Sequence, residues 1–216
     1  MGGCCRPGDI DDVFDEKNAR KQARSYARTG LGGTSRQIVA LIRERLAPGY
    51  TILEAGGGIG AIPVELLTAG GATSATNVEL STTYEAVASE LLRERGLEGR
   101  VSRRIGDFVS EAASMPPADV VVLDRVVCCY PDADRLVAAA AAHARRLLVL
   151  AFPVDRWWIR LGLGLANLLL RVRRSAFRGF AHPTVRVIAA AEREGLRLAA
   201  HRRGLIWQIV AFERAG

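Results

Sequence analysis

Lysine is nearly missing from this chain: of its 30 basic residues only Lys17 and Lys21 are Lys, and the rest are Arg. The arginine excess is also lopsided. From Arg156 to the end there are twelve Arg against three Glu and no Asp, an excess of nine that more than accounts for the overall net charge of +7. We read it as a solvated basic surface and not as a polyanion-binding face, so nucleic acid is not an expected partner. Cysteine is scarce as well. The four residues form two adjacent pairs, Cys4-Cys5 and Cys128-Cys129, without the two-residue spacer of a metal knuckle. His143, His182 and His201 form no ligand cluster, and no metal is expected. The amino terminus lacks an apolar signal-peptide core, so a cytoplasmic location without disulfides is the expectation. No hydrophobic run is long enough to cross a bilayer. The longest, 159–170, is broken by Gly162 and Gly164 and falls short of the ~20 residues a spanning helix takes. Repeats, low-complexity stretches and linkers are also missing. What remains is 216 residues, 49% hydrophobic and 25% charged, the profile of a single globular domain.

Residues 1–8 read as a loose terminus. From Asp11 to Leu46 acidic residues precede basic ones, which suits a helix dipole. Thr29 to Thr34 interrupts this stretch, and Thr34 or Ser35 can cap a second helix bearing Ile38, Val39, Leu41, Ile42 and Leu46. Residues 1–46 are thus expected to be a helical extension packed on a core domain of residues 47–216. Such an extension can simply pad one sheet face. Tyr26 and Arg24 are its first candidates for a role at a site.

Five strand-like stretches follow, separated by helix-like ones: Thr51–Glu54, Ser74–Glu79, Val101–Ile105, Ala118–Asp124 and Arg146–Phe152. The fourth and fifth are continuously apolar, as in strands buried on both faces of a parallel sheet. Leu196–His201 and Ile206–Phe212 read as two closing strands around Arg202-Arg203-Gly204.

The chain is organised around Thr51 to Gly60, an apolar strand that ends in Glu54 and runs through Gly56, Gly57, Gly58 and Gly60 into the helix from Ala61. Glycines here permit backbone angles that a Cβ forbids and let a ligand approach the main chain, while the first helical amides point at it. The spacing Gly56-x-Gly58-x-x-Ala61 also fits a dinucleotide fingerprint. Glu54 argues against that reading, since a carboxylate two residues before the first glycine suits an ammonium better than a pyrophosphate.

Glu54-x-Gly56-x-Gly58-x-Gly60 resembles the first motif of class I S-adenosylmethionine-dependent methyltransferases, and three further features follow in the family's order. Glu79 ends the second strand with Leu80 beside it, Asp107-Phe108 follows the third, and Asp124 ends the fourth. The resemblance covers roughly residues 36–213. It implies an α/β, Rossmann-like, seven-stranded, mostly parallel sheet with helices on both faces and an antiparallel last strand. It also implies S-adenosylmethionine as cofactor, with Glu54, Gly56, Gly58 and Gly60 holding its amino-acid end and Glu79 and Leu80 at the ribose. Asp107 and Phe108 would lie at the adenine, with Asp124 near the methyl group. For the helical extension the resemblance implies, instead of mere padding, that it covers the cofactor and helps shape the substrate pocket. The amino-terminal helices and Tyr130-Pro131 faintly resemble the magnesium-protoporphyrin O-methyltransferase branch, which carries a His where this chain has Cys129.

The implied reaction is in-line methyl transfer to a small-molecule acceptor, and positioning supplies much of the acceleration. A hydroxyl acceptor would need a base, for which Tyr130, Asp124 and His182 are candidates. Cys128 and Cys129 read as small buried hydrophobes. Two alternatives stand beside this reading: an NAD-dependent oxidoreductase, and a non-catalytic module of the same fold that binds RNA or membrane. The helix from Trp157 to about Arg174 is either a pocket wall or core element, or a peripheral contact with a membrane surface.

Overall fold

The computed structural model describes residues 10–214. The loose terminus and the Cys4-Cys5 pair lie outside them. In chain order the elements are α1 (Glu16–Thr29), α2 (Gly33–Arg45), β1 (Tyr50–Ala55), α3 (Ala61–Thr68), β2 (Ala72–Glu79), α4 (Glu85–Glu94) and β3 (Val101–Ile105). A short α5 (Phe108–Glu111) precedes β4 (Ala118–Asp124), α6 (Ala133–His143), β5 (Ala144–Pro153), α7 (Trp157–Val172), α8 (Thr184–Arg193), β6 (Leu196–Arg203) and β7 (Trp207–Arg214).

The strands form one sheet in the order β3-β2-β1-β4-β5-β7-β6. The first five run parallel, and β7 pairs antiparallel with both β5 and β6. This is the expected mostly parallel sheet with helices on both faces. Alternation along β4 explains its unbroken apolar sequence: Val120 and Val122 join one core, Val121 and Leu123 the other. Ile38, Leu41 and Ile42 of α2, Leu66 of α3 and Leu91 of α4 pack into the first core. Leu136 and Val137 of α6 and Val187 of α8 pack into the second. Since side chains on a strand alternate faces, both sides must be covered for such a run to be stable.

Two local expectations are corrected. The residue before α2 is Gly32, which makes no side-chain cap, and Thr34 and Ser35 sit inside the helix. The Ser35 hydroxyl is engaged elsewhere, as described below. The second strand starts before the expected Ser74: Ala72 already belongs to β2, where it is buried beside Tyr50 of β1. Asp15 caps α1 by accepting from the Asn18 amide at 2.8 Å, which starts the helix later than its first acidic residues. Asp11 instead accepts from the Ser81 hydroxyl at 2.6 Å and the Thr82 hydroxyl at 2.9 Å, tying the start of the chain to the segment after β2.

The helix α7 enters neither core. Among its described residues none is buried.

Candidate functional site

Parallel strands deliver their carboxyl ends to one edge of the sheet, and a crevice opens where the connections diverge. That divergence lies between β1 and β4, from which the chain leaves to opposite sides. A cavity of about 690 Å³ occupies this place. Its lining includes Glu54, Gly56, Gly58, Glu79, Leu80, Asp107, Phe108, Asp124 and Tyr130. The ends of four strands thus converge on one space.

The glycine turn is built by left-handed backbone at Gly56 (φ 63°), Gly58 (φ 56°) and Gly60 (φ 74°), angles disfavoured for residues with a Cβ. Gly60 belongs to the turn but not to the lining. Gly57 is needed for a different reason: a Cβ there would run into Asn77 Nδ2 and the Glu54 carboxylate. No spacing rule in the sequence marks that position. After the turn, α3 starts at Ala61, with Pro63 in its first turn where no amide partner is lost.

Glu54 is 2% exposed, and register sets it beside Asn77 of β2. Asn77 Nδ2 donates to Glu54 Oε2, and Arg103 Nη1 donates to Asn77 Oδ1 at 2.8 Å and to the Gly58 carbonyl at 3.2 Å. Burial, reinforced by repulsion from Asp124, pushes the Glu54 carboxyl up to about 8 from its usual 4.5, against the opposing Asn77 bond. At neutral pH this buried carboxyl is therefore mostly protonated.

Glu79 is also buried, and burial raises its pKa. Its Oε2 accepts from the Gly58 amide at 2.7 Å and its Oε1 from the Ser81 amide at 2.9 Å, so it braces the glycine turn from the neighbouring strand. Tyr84 lines the cavity beside it. Burial and the Glu79 charge push that phenol up to about 12, which keeps it neutral. Asp107 caps α5, and its Oδ2 accepts from the Ser110 hydroxyl at 2.6 Å and the Tyr130 hydroxyl at 3.3 Å. Phe108 is buried, edge-on to His143.

Asp124 Oδ2 accepts from Ser35 of α2 at 2.5 Å. Its buried Oδ1 has no hydrogen bond; Arg125 Nε stands 3.5 Å away, close enough for an ion pair but without hydrogen-bond geometry. Cys128 and Cys129 both line the cavity with their sulfurs 3.8 Å apart, and Cys128 is buried, as a small apolar residue would be. The hydrogen bond with Cys129 holds the Cys128 thiol below its usual range.

Among the three base candidates, Asp124 and Tyr130 reach the cavity and His182 does not. His182 Nε2 donates to the Tyr130 carbonyl at 2.8 Å and its ring stacks on Phe180, so it supports Tyr130 from outside. Tyr26 lines the cavity, its hydroxyl donating to Glu65 at 3.2 Å, whereas Arg24 is exposed and is not part of the lining. In the extension, α2 fills a sheet face, while Gln22, Ser25 and Tyr26 of α1 and residues 30–35 line one side of the cavity. Among the described residues no group of His, Cys, Asp or Glu is disposed to hold a metal ion.

Sequence reasoning missed Ser35, Asn77 and Arg103. Asn77 alone carried a signal, being a polar residue inside an otherwise strand-like run.

Comparison with known proteins agrees with this architecture. The magnesium protoporphyrin IX methyltransferase ChlM of Synechocystis PCC 6803, solved with bound SAH, superposes with a TM-score of 0.72 over 95% of this chain and 98% of its own, at 19% identity. An O-methyltransferase family 2 protein from Planctomyces limnophilus DSM 3776, in complex with apigenin, gives a TM-score of 0.66 over 93% and 62%, at 18% identity. At these identities the likeness is one of fold. In sequence, 57 residues are 44% identical to the N,N-dimethyltransferase OxyT of Streptomyces rimosus, a segment that is 26% of this chain and only 16% of that protein. The O-methyltransferase domain matches residues 17–140, more than half of the chain, which overturns the dinucleotide-oxidoreductase alternative. By that match the chain belongs to the O-methyltransferase domain family, within the S-adenosylmethionine-dependent methyltransferases that the motif from Glu54 to Gly60 resembles.

Proposed function

We propose that this protein transfers a methyl group from S-adenosylmethionine to a small-molecule acceptor, with both held in the cavity at the carboxyl edge of the sheet. The observation that carries the reading is the convergence of Glu54, Glu79, Asp107 and Asp124, from four separate strand ends, on one space of about 690 Å³ beside a left-handed glycine turn. That volume is in the range of small-molecule sites. The cofactor would supply a methyl group on a positively charged sulfur.

The residues fit such a ligand. Glu54, raised by burial, gains by pairing with an ammonium. In this reading Glu79 accepts from ribose hydroxyls, and Asp107 and Phe108 meet the base. Asp124, at the cavity wall with its Oδ1 free of hydrogen bonds, is the residue read as nearest the transferred methyl group. Tyr130, fixed by Asp107 at its hydroxyl and by His182 at its carbonyl, closes the acceptor side. Ile10, Phe14, Phe177 and Trp207 add apolar wall, which supports an acceptor with a substantial apolar surface and excludes water from the transfer. Comparison proteins whose names mention a porphyrin and apigenin are compatible with an acceptor of that size.

The test is calorimetric titration with S-adenosylmethionine, S-adenosylhomocysteine and NAD, followed by incubation with labelled cofactor and a cell metabolite extract. Binding of the first two and a labelled small product are expected. Binding of NAD alone would overturn the proposal.

A further inference from the structure

Among the described residues eleven large apolar side chains are exposed, and nine of them lie on α7 or at the adjoining turn between β6 and β7. Trp157 is 71% exposed, Leu165 61% and Leu205, at the turn, 84%. Leu161, Leu168 and Trp158 continue the surface. The two segments are one patch because Trp158 Nε1 donates to the Leu205 carbonyl at 3.4 Å and the Val154 amide to the Ile206 carbonyl at 2.8 Å.

The helix is fixed from beneath and not from above. Its half-buried residues Ile159, Leu163, Asn167 and Leu170 follow helical spacing along the opposite side. Asn167 exchanges two hydrogen bonds of 2.8 Å with the backbone of Gly179. No residue of α7 lines the main cavity, so the expectation of a pocket wall fails, and with no buried residue the expectation of a core element fails too.

Charge identifies what the patch faces. Arg156 and Arg160 stand at the tryptophan end and Arg171, Arg173 and Arg174 at the other, while residues 156–174 contain no acid. Asp155 pairs with Arg160 at 2.6 Å and leaves the other four without an acidic neighbour within the segment. A second copy docked through the same patch would meet it by two-fold symmetry and bring guanidinium groups together. A surface with apolar depth and negative charge at its boundary suits both features.

We infer that α7 and the β6–β7 turn form a peripheral docking face for anionic lipid membranes, with the apolar side chains entering the headgroup boundary and the arginines pairing with lipid phosphates. The helix has 16 residues, and among the described residues no helix is long and apolar enough to cross a membrane, so it lies along the surface. This inference does not rest on the proposed methyl transfer.

The test is flotation of the purified full chain with vesicles of phosphatidylcholine alone and of an equal mixture with phosphatidylglycerol, in low and high salt. Binding to the mixed vesicles, weakened by salt and accompanied by a blue shift of tryptophan emission, is expected. The double variant L165E/L168E and the charge reversal R171E/R173E should each lower it by about tenfold or more, with thermal melting unchanged because these side chains are exposed. Equal or absent binding to both vesicle types overturns the inference. So does retention of full binding by L165E/L168E, or light scattering that shows a dimer which L165E/L168E dissolves.

Discussion

Asn77 Nδ2 meets Glu54 Oε2 at 2.6 Å across two neighbouring parallel strands, and this is the bond that keeps a buried, mostly uncharged carboxyl aimed into the cavity. With its ionisation pushed up to about 8, Glu54 carries its proton at neutral pH until a cation arrives.

Binding of an ammonium-bearing cofactor should therefore release a proton. Calorimetry at pH 7 in two buffers of different ionisation heat should give a difference corresponding to nearly one proton per site. The apparent affinity should also rise by up to about tenfold per pH unit below 8. Glu54→Gln should abolish the buffer dependence. Buffer-independent heats in the parent protein would remove Glu54 from the cofactor site.

The same group shapes stability without ligand. Its folded value lies above its unfolded one, so its contribution is fully present below about 4.5 and is lost as pH rises through about 8. Thermal melts from pH 5 to pH 8 should show the parent protein losing ground to Glu54→Gln by several degrees, since the amide keeps an acceptor for Asn77 and never ionises. Parallel pH profiles for the two would contradict the burial argument.

Gly57→Ala and Gly60→Ala separate two demands placed on the turn. At Gly57 the new Cβ meets Asn77 and Glu54, and overpacking of that kind costs about 1–3 kcal/mol. At Gly60 nothing lies closer than 3.7 Å, and the cost is that of a left-handed alanine alone, about 1–2 kcal/mol. Urea unfolding should find Gly57→Ala the more damaging, although Gly60 is the position the motif names.

Glu79→Gln tests brace against ligand. The amide oxygen still accepts from the Gly58 backbone while its NH2 faces the Ser81 amide, so stability should fall only modestly, and weaker bonds to ribose hydroxyls should reduce cofactor affinity about tenfold. A fall in melting temperature with unchanged affinity would make Glu79 a structural brace only.

The strands were legible because each announces itself locally. Val101–Ile105 and Ala118–Asp124 coincide with their expected bounds, and the alternation of β4 between two cores explains why it needed to be wholly apolar. Gly56, Gly58 and Gly60 were readable because left-handed backbone selects glycine by itself. What escaped depends on partners distant in the chain. Ser35 reads as a helix cap until Asp124, 89 residues later, takes its hydroxyl. Gly57 is constrained by two side chains from different strands. His182 carries the right chemistry for a base, but its backbone puts it behind Tyr130. The surface position of α7 was undecidable from an apolar run whose period fits burial and exposure alike.

Every strand-end carboxylate in the cavity is anchored to the sheet, but α1 is not part of any ladder. It is fastened by Gln22 to Tyr84 at 2.9 Å, by Tyr26 to Glu65 at 3.2 Å, and by Arg95 over the Tyr26 ring at 5.3 Å. Moving it would expose Ala19 and Tyr26, which are buried in the first core, as well as exchange these polar contacts for water, while the strand pairing beneath stays whole. The wall of the chamber on the α1 side is therefore held by side chains alone, and the pace of product departure should follow how readily that helix moves.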